Sequence, residues 1–151
     1  MHLPHKVFVY GTLKTGEPNY FVMSETAGKH AFIDKGLTVT KYPLIIASSF
    51  NVPMIVYDPG NGDRIHGEVY AVDDDRLKAL DKLECHPEDY RREIEKIELS
   101  DGTIIEALMY SVHDWSPEIF EGCAGPFTSY TSAGSHQRPY SGELYHFRFF
   151  T

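Results

Sequence analysis

A short turn near the amino terminus has the composition of a site for an anion or a carbonyl group. The apolar run 6–10 is interrupted by a glycine, and the turn that follows consists of Tyr10, Gly11, Thr12 and Leu13. Glycine permits backbone conformations and close approaches that other residues do not, so this 10–13 turn can direct several backbone N–H groups toward one ligand. An ordinary strand-to-loop turn has the same pattern, and the spacing alone favours that simpler interpretation.

The second candidate is Glu84, at the end of a predicted helix whose apolar stripe is formed by Leu77, Leu80 and Leu83. A carboxylate at this position faces the negative end of the helix dipole, and partial burial would add a desolvation penalty. Both effects raise the pKa of a carboxyl group, which then can accept and return a proton near neutral pH. A solvated glutamate at a helix end is the alternative, and the sequence in isolation favours it.

Other polar residues give weaker signals for chemistry. Cys85 and His86 are adjacent, whereas a nucleophile and its base usually meet through the fold rather than along the chain. The eight histidines form no HxxxH pattern and the two cysteines no CxxC pair, so no metal site is predicted. The glycines at 60 and 62 form neither GxGxxG nor a Walker loop, and no cofactor is predicted. Glu88 and Asp89 predict a solvated acidic patch beside Glu84.

The hydrophobic pattern locates the elements that must position these residues. Apolar and β-branched runs predict strands at 6–10, 31–39, 44–47, 54–57, 64–72, 90–99 and 103–112. The last two flank a Ser-Asp-Gly turn and predict a hairpin. A short helix is expected from Asn19, as its cap, to about residue 24, burying Phe21 and Val22. A longer helix is expected to begin at Asp73 or Asp74 and to end at 83–85.

The carboxyl-terminal part has a different composition. Residues 116–142 are rich in Gly, Ser, Pro and aromatic side chains, which predicts an ordered but irregular tail, and a last short strand is predicted at 145–150. Many strands and two helices without regular βαβ alternation indicate an α+β fold, a small mixed-sheet β-barrel with few helices. No internal repeat or linker is visible, so residues 1–151 are expected to form one domain.

Composition and charge narrow the class of ligand. The chain has 151 residues, 42% of them hydrophobic and 24% charged, which is typical of a globular domain. A formal net charge of −8 without a basic cluster argues against nucleic acid and anionic membrane surfaces as partners, and it suits a small cationic or zwitterionic substrate. We find no signal peptide or membrane-spanning run, and two cysteines are consistent with reduced thiols, so a cytoplasmic location is expected.

Several segments, taken together, have the sequence of a known family. In chain order they are VFVYGTLKTGEPN (7–19), YPLIIA (42–47), NVP (51–53), GEVYAVD (67–73), LDKLECHP (80–87), YRR (90–92) and, more loosely, SYTSAG (129–134) with His136 and Tyr140. These segments resemble the γ-glutamylamine cyclotransferases, members of the γ-glutamyl cyclotransferase-like (AIG2-like) superfamily. The resemblance extends over nearly the whole chain, and it is specific because the 10–13 turn and the segment around Glu84 occur together.

The resemblance implies a fold, an activity and site residues. It implies the γ-glutamyl cyclotransferase-like fold and an enzyme that converts small γ-glutamyl amines, such as γ-glutamyl-ε-lysine from transglutaminase crosslinks, to 5-oxoproline and free amine. The 10–13 turn then binds the γ-glutamyl group, largely through main-chain atoms. Glu84, rather than Asp81 or Glu88, corresponds to the catalytic general acid and base, and no metal or cofactor is implied.

Two alternatives to this activity remain open. One is a cyclotransferase that acts on γ-glutamyl amino acids or glutathione, and the other is a non-catalytic module of the same fold that binds a small molecule or a protein. The tail bears on the first alternative, because Thr131 and Ala133 stand where the family tends to have acidic residues. The identity of the leaving amine therefore does not follow from the resemblance.

Overall fold

The computed structural model of the protein describes residues 2–141. The elements of this region, in chain order, are β1 (His5–Val9), α1 (Tyr20–Glu25), β2 (His30–Thr38), β3 (Leu44–Ala47), β4 (Val52–Ile55), β5 (His66–Val72), α2 (Asp74–Leu83), β6 (Arg91–Leu99), β7 (Ile104–Ser111), a 3-10 turn (Pro117–Phe120) and β8 (Ala124–Phe127). The strand expected at 145–150 lies outside the described residues. Neither helix within residues 2–141 has the length and apolar character needed to cross a bilayer.

Five strands close into a barrel in the order β1-β5-β2-β6-β7. The pairing of β1 with β7, which closes the barrel, is parallel, and the other four pairings are antiparallel. The predicted hairpin is formed by β6 and β7. A second sheet, in the order β4-β3-β8, is joined to the barrel by a bridge between Val56 and Val112. The expected α+β fold with a small mixed barrel is confirmed.

The last three residues of strand β1, Val7 to Val9, are buried on both faces of the strand. Phe8 lies in the barrel interior with Val69 of β5, whereas Val7 and Val9 face outward and pack with Tyr70 against the two helices. A strand that is covered on both faces needs apolar residues at every position rather than alternation. This explains the continuous apolar run that precedes the 10–13 turn, and it fixes the turn firmly to the core.

Helix α2 is fixed at its start by a cap and along its length by packing. Of the two predicted cap residues, Asp73 is the N-cap, and its carboxylate accepts a hydrogen bond of 2.9 Å from the backbone N–H of Arg76. The leucine stripe packs into the same cluster as the outer face of β1. The helix ends at Leu83, which makes Glu84 its C-cap residue. Glu84 is thereby held next to the end of β1.

The prediction that Asn19 caps α1 with its side chain is wrong. The helix does begin after Asn19, but that side chain makes no capping hydrogen bond and instead donates to Oγ1 of Thr12 over 2.7 Å. The buried residues of this helix are Val22 and Met23, while Phe21 is only partly buried. The amide of Asn19 is engaged by the preceding loop rather than by the helix.

Strand β4 and the tail also differ from the predictions. The strand expected at 54–57 lies at Val52–Ile55, because a tight four-residue connection after β3 sets the register of the β3–β4 pair. The tail is more regular than expected, since it contains the 3-10 turn and strand β8. Strand β8 contains Pro126 and lies at an edge of its sheet, a position that tolerates a missing N–H donor.

Candidate active site

A cavity of about 500 Å³ opens where β1 ends. The five residues singled out in the sequence, which are Tyr10, Gly11, Thr12, Leu13 and Glu84, all line it. The fold brings the two candidate segments together because α2 packs on the outer face of β1 and ends beside the 10–13 turn. What each residue does in this cavity stays a prediction.

The 10–13 turn offers backbone donors to the cavity. The loop that follows it is closed by two hydrogen bonds, from Lys14 N to Gly11 O over 3.2 Å and from Asn19 N to Thr12 O over 2.8 Å. Among the residues that the structure describes, we find no acceptor for the backbone N–H groups of Gly11, Thr12 and Leu13. Unsatisfied N–H groups beside a cavity are a ready site for a carboxylate or an oxyanion.

Gly11 is required by a close approach rather than by an unusual backbone angle. A Cβ atom at this position would lie 2.9 Å from Cγ of Pro53, on the neighbouring strand β4. Gly11 is not among the residues with positive φ. Glycine is therefore required here because it lacks a side chain, and not because it can adopt a positive φ.

The hydroxyl group of Tyr10 is used within the protein. The side chain is only 7% exposed, and its hydroxyl donates to the backbone carbonyl of Tyr110 over 2.9 Å and accepts from the N–H of Ile55 over 3.1 Å. Burial raises the pKa of Tyr10, which keeps the hydroxyl protonated. The residue ties β1 to β7 and β4, so any contact with a ligand falls to its backbone and ring.

Glu84 has the environment of a proton-transfer residue. Its backbone N–H donates to the carbonyl of Leu80 over 3.0 Å, and its carbonyl accepts from Tyr90 N over 3.2 Å, so the residue is held on both sides. Burial raises the pKa of Glu84 to about 8, and the negative charge of Asp81 adds to this effect. The carboxyl is therefore not the solvated helix-end group that the isolated sequence favoured.

Asp81 lies at the centre of a hydrogen-bond network that the sequence does not predict. Its two carboxylate oxygens accept hydrogen bonds of 2.8 and 3.2 Å from Nε and Nη2 of Arg92. The hydroxyl of Tyr110 donates to Oδ1 over 2.5 Å. Tyr110 also lines the cavity, and its backbone carbonyl accepts a hydrogen bond from the hydroxyl of Tyr10. The network therefore connects the 10–13 turn to Asp81 in the last turn of α2, next to Glu84.

The tail and the β3–β4 connection together form a wall of the cavity. Tyr140 and Phe50 both line it, and the N–H of Ser141 donates to the carbonyl of Phe50 over 2.9 Å. The guanidinium of Arg138 fastens the same wall by donating to Oδ1 of Asn51 over 2.9 Å and to the carbonyl of Ser48 over 3.1 Å. The tail is thus part of the site.

The charge of the cavity is one-sided. Its described lining residues include Glu84 and three exposed acidic residues, Glu88, Asp89 and Asp114, which we call the acidic rim, and they include no Lys or Arg. A rim of this kind creates a negative potential that attracts cations. An anionic group of a ligand has to rely on the N–H groups of the 10–13 turn instead.

Two further predictions concern metals and cysteines. Within residues 2–141 no group of three or more His, Cys, Asp and Glu side chains is arranged to hold a metal ion. Cys85 and Cys123 are not joined by a disulfide. The polar groups of the cavity include a carboxyl group whose pKa is raised to about 8 and a set of backbone donors, which is a combination suited to proton transfer beside an anionic oxygen.

Comparison with known proteins gives consistent matches. Residues 7–125 match the family described as gamma-glutamyl cyclotransferase, AIG2-like. The gamma-glutamylaminecyclotransferase of Homo sapiens is 37% identical over 147 residues, covering 89% of this chain and 95% of that protein. The putative gamma-glutamylcyclotransferase CG2811 of Drosophila melanogaster is 38% identical over 116 residues, with coverages of 76% and 74%. The crystal structure of an AIG2-like protein from Mus musculus, 36% identical, superposes with a TM-score of 0.86 over 92% of this chain and 96% of that one.

Proposed function

Because the chain belongs to the gamma-glutamyl cyclotransferase, AIG2-like family, we propose that it cyclises the γ-glutamyl group of small γ-glutamyl amines to 5-oxoproline and releases the free amine. The family assignment confirms the resemblance on which this expectation rested. Relatives named gamma-glutamylaminecyclotransferase support the enzyme class, since the human one is matched over 95% of its length. The observation that argues most for the chemistry is Glu84, a carboxyl with a pKa of about 8 in the same cavity as the 10–13 turn.

The proposed reaction needs one group that moves a proton twice. Ionised Glu84 takes a proton from the substrate α-ammonium, and the freed amine attacks the γ-carbonyl to form the ring C–N bond. The backbone N–H groups of the 10–13 turn stabilise an anionic oxygen of the substrate. Protonated Glu84 then donates its proton to the departing nitrogen as the original amide C–N bond breaks, and the ring nitrogen gives up its remaining extra proton to the freed amine, which leaves as an ammonium. Holding the glutamyl arm in a ring-like pose contributes through orientation.

The pKa of Glu84 suits this double role. An ordinary glutamate has a pKa of about 4.3, several units below that of an α-ammonium group. A transfer from ammonium to ordinary glutamate would be strongly uphill. With the pKa of Glu84 at about 8, the transfer is nearly balanced in both directions. A balanced exchange is what a residue requires when it must first accept a proton and then return it.

The acidic rim supports an amine as leaving group. In γ-glutamyl-ε-lysine the lysine moiety has both an ammonium and a carboxylate, whereas the Cys-Gly moiety of glutathione has a carboxylate and, while its amine is in the amide bond, no ammonium. Negative charge from Glu88, Asp89 and Asp114 attracts the ammonium of the first and repels the net anionic second. We therefore propose γ-glutamyl amines, rather than glutathione, as the substrate class.

Product analysis on three substrates tests this function. The purified protein is incubated with γ-glutamyl-ε-lysine, γ-glutamyl-alanine and glutathione, and 5-oxoproline, glutamate and the leaving group are quantified. We expect 5-oxoproline and lysine in equal amounts, with the highest kcat/KM for the lysine compound. Glutamate in place of 5-oxoproline would mean hydrolysis, and turnover of none of the three would favour a binding module; either result would contradict the proposal.

A further inference from the structure

Asn19 occupies an unusual position between a helix and the cavity. The residue begins α1 but is only 4% exposed and lines the cavity. Its backbone N–H donates to the carbonyl of Thr12 over 2.8 Å, and its Nδ2 donates to the hydroxyl of the same residue over 2.7 Å. Nδ2 also lies 3.4 Å from the hydroxyl of Tyr140 in the tail wall. Asn19 is therefore clamped onto Thr12 twice and is linked to the opposite segment of the chain.

This clamp decides where the proton of the Thr12 hydroxyl is available. A threonine hydroxyl has one proton to donate and two lone pairs that accept. Because Nδ2 of Asn19 presents a donor, the hydroxyl has to use a lone pair there and keeps its proton for another acceptor. Within the described part of the chain we find no protein acceptor for this hydroxyl, and Thr12 is partly exposed at the cavity. The proton is left for a ligand.

The side-chain oxygen of Asn19 also indicates that this residue serves to position Thr12. Oδ1 is buried and has no hydrogen-bond partner among the described residues. A buried acceptor without a partner destabilises a folded protein, and an apolar side chain of similar size would avoid that cost. Stability alone therefore does not account for an asparagine at this position. The feature that the asparagine supplies is the donor on Thr12.

We propose that Asn19 is a positioning residue of the active site, whose amide holds the Thr12 hydroxyl as a hydrogen-bond donor for an anionic oxygen of the substrate. The inference rests on the proposed function, because γ-glutamyl amines supply such an oxygen in two places. One is the α-carboxylate, and the other is the oxyanion that forms at the γ-carbonyl. The hydroxyl then adds a fourth donor to the three backbone N–H groups of the 10–13 turn.

A double-mutant cycle tests the inference. Thr12→Val removes the hydroxyl at nearly constant shape, and Asn19→Leu removes the donor that orients it. Each change is expected to lower kcat/KM about tenfold, the size of one lost hydrogen bond to a charged group. The double variant should lose no more than Thr12→Val alone, since Asn19 acts through Thr12, and Thr12→Ser should stay near wild type. Additive losses, or a Thr12→Val variant with wild-type kcat/KM, would overturn the inference.

Asn19→Asp sharpens the test because it preserves the shape of the side chain. An aspartate cannot donate, so the Thr12 hydroxyl would turn its proton toward the carboxylate and lose it for the substrate. We expect a loss at least equal to that of Asn19→Leu, because the new carboxylate also repels an anionic oxygen of the substrate. Wild-type kcat/KM in Asn19→Asp would overturn the inference.

KM and kcat show which anionic oxygen the Thr12 hydroxyl contacts, and binding of 5-oxoproline separates this inference from the proposed function. A rise in KM at constant kcat indicates the α-carboxylate, and a fall in kcat indicates the oxyanion; either supports the inference.

The same cycle is run on calorimetric binding of 5-oxoproline, which carries a carboxylate and needs no turnover. Wild-type protein that binds 5-oxoproline but releases none would sink the proposed function alone. Wild-type protein that does neither would overturn both. Should Asn19→Leu fail to fold, losses of kcat/KM in both Asn19→Asp and Thr12→Val, with Thr12→Ser near wild type, support the inference, and wild-type kcat/KM in either of the first two overturns it.

Discussion

The hydroxyl of Tyr110 donates a hydrogen bond of 2.5 Å to Oδ1 of Asp81, one helical turn before Glu84. Arg92 donates to both oxygens of the same carboxylate, so Asp81 is held in place by three hydrogen bonds from two strands. A negative charge fixed at this position adds to burial in raising the pKa of Glu84 to about 8. The hydrogen bonds to Asp81 thus fix a charge that influences the protonation state of Glu84.

The first prediction concerns the pH dependence of the reaction. Since Glu84 has to be ionised to accept a proton, the acid side of the kcat/KM profile of the wild type should rise with pH through an apparent pKa of about 8. Asp81→Asn removes a negative charge and leaves the cation of Arg92 nearby, so the pKa of Glu84 should fall and the rise should move to lower pH by a fraction of a unit. The shift is small because burial, the main cause of the raised pKa of Glu84, is unchanged by this substitution.

Profiles of kcat/KM from pH 5 to 10 for the two proteins check this prediction. A wild-type profile that is already flat above pH 6 would indicate an ordinary glutamate and would contradict the raised pKa. A profile of Asp81→Asn that moves to higher pH would contradict the role of the Asp81 charge.

The second prediction is that Glu84→Gln stabilises the protein at alkaline pH. The pKa of Glu84 is raised on folding from 4.5 to about 8, so the native state binds the proton more tightly than the unfolded state does. The free energy of unfolding of the wild type should therefore decline as pH rises through this interval. Glutamine cannot ionise, so the variant should be more stable than the wild type at pH 9, by up to about 4 kcal/mol, and nearly equal at pH 4.5. Urea unfolding at both values measures this, and a wild type that is the more stable protein at pH 9 would contradict it.

The third prediction concerns the contact of Gly11 with Pro53. Gly11→Ala would place a methyl group 2.9 Å from Cγ of Pro53, which forces the 10–13 turn or β4 to move. We expect about 1–3 kcal/mol of destabilisation and a loss of kcat/KM of at least tenfold. Pro53→Ala removes Cγ, so the double variant should recover much of both losses. Thermal unfolding and kinetics of the four proteins test this, and a Gly11→Ala variant that behaves as wild type would show that the close approach is unimportant.

The fourth prediction concerns the acidic rim. Replacing Glu88 and Asp89 by lysine reverses the potential at the cavity mouth. The KM for γ-glutamyl-ε-lysine should rise several-fold, and the KM for glutathione, if it is turned over, should fall. Both changes should shrink at high salt, because exposed charges are screened. Matched kinetics at 20 and 500 mM salt check the prediction, and an unchanged ratio of the two KM values would speak against a role of the rim in choosing the amine.

The sequence predicts the elements whose signals are local. The cap at Asp73 and the leucine stripe of α2 are read within a dozen residues, and the continuous apolar run of β1 reflects burial on both faces. These signals locate Glu84 at a helix end and the 10–13 turn at a strand end. They do not show that the two positions share a cavity.

What the sequence does not predict depends on contacts that are distant along the chain. Tyr110 and Asp81 are 29 positions apart, and only closure of the barrel brings them together. The amide of Asn19 has two competing partners, the start of α1 and the hydroxyl of Thr12, and the folded loop decides in favour of Thr12. The pairing of β8 with β3 likewise overrides a Gly-Pro composition that locally disfavours a strand.

The role of Glu84 is tested most directly by the release of 5-oxoproline from γ-glutamyl-ε-lysine by Glu84→Gln, compared with wild type and with Glu106→Gln as a control. Glu106 is exposed on β7 and does not line the cavity. The account predicts that Glu84→Gln binds substrate but loses at least about a hundredfold in kcat, the usual contribution of a general acid and base, while the control keeps wild-type turnover. A Glu84→Gln protein that releases 5-oxoproline at near wild-type rate would contradict it.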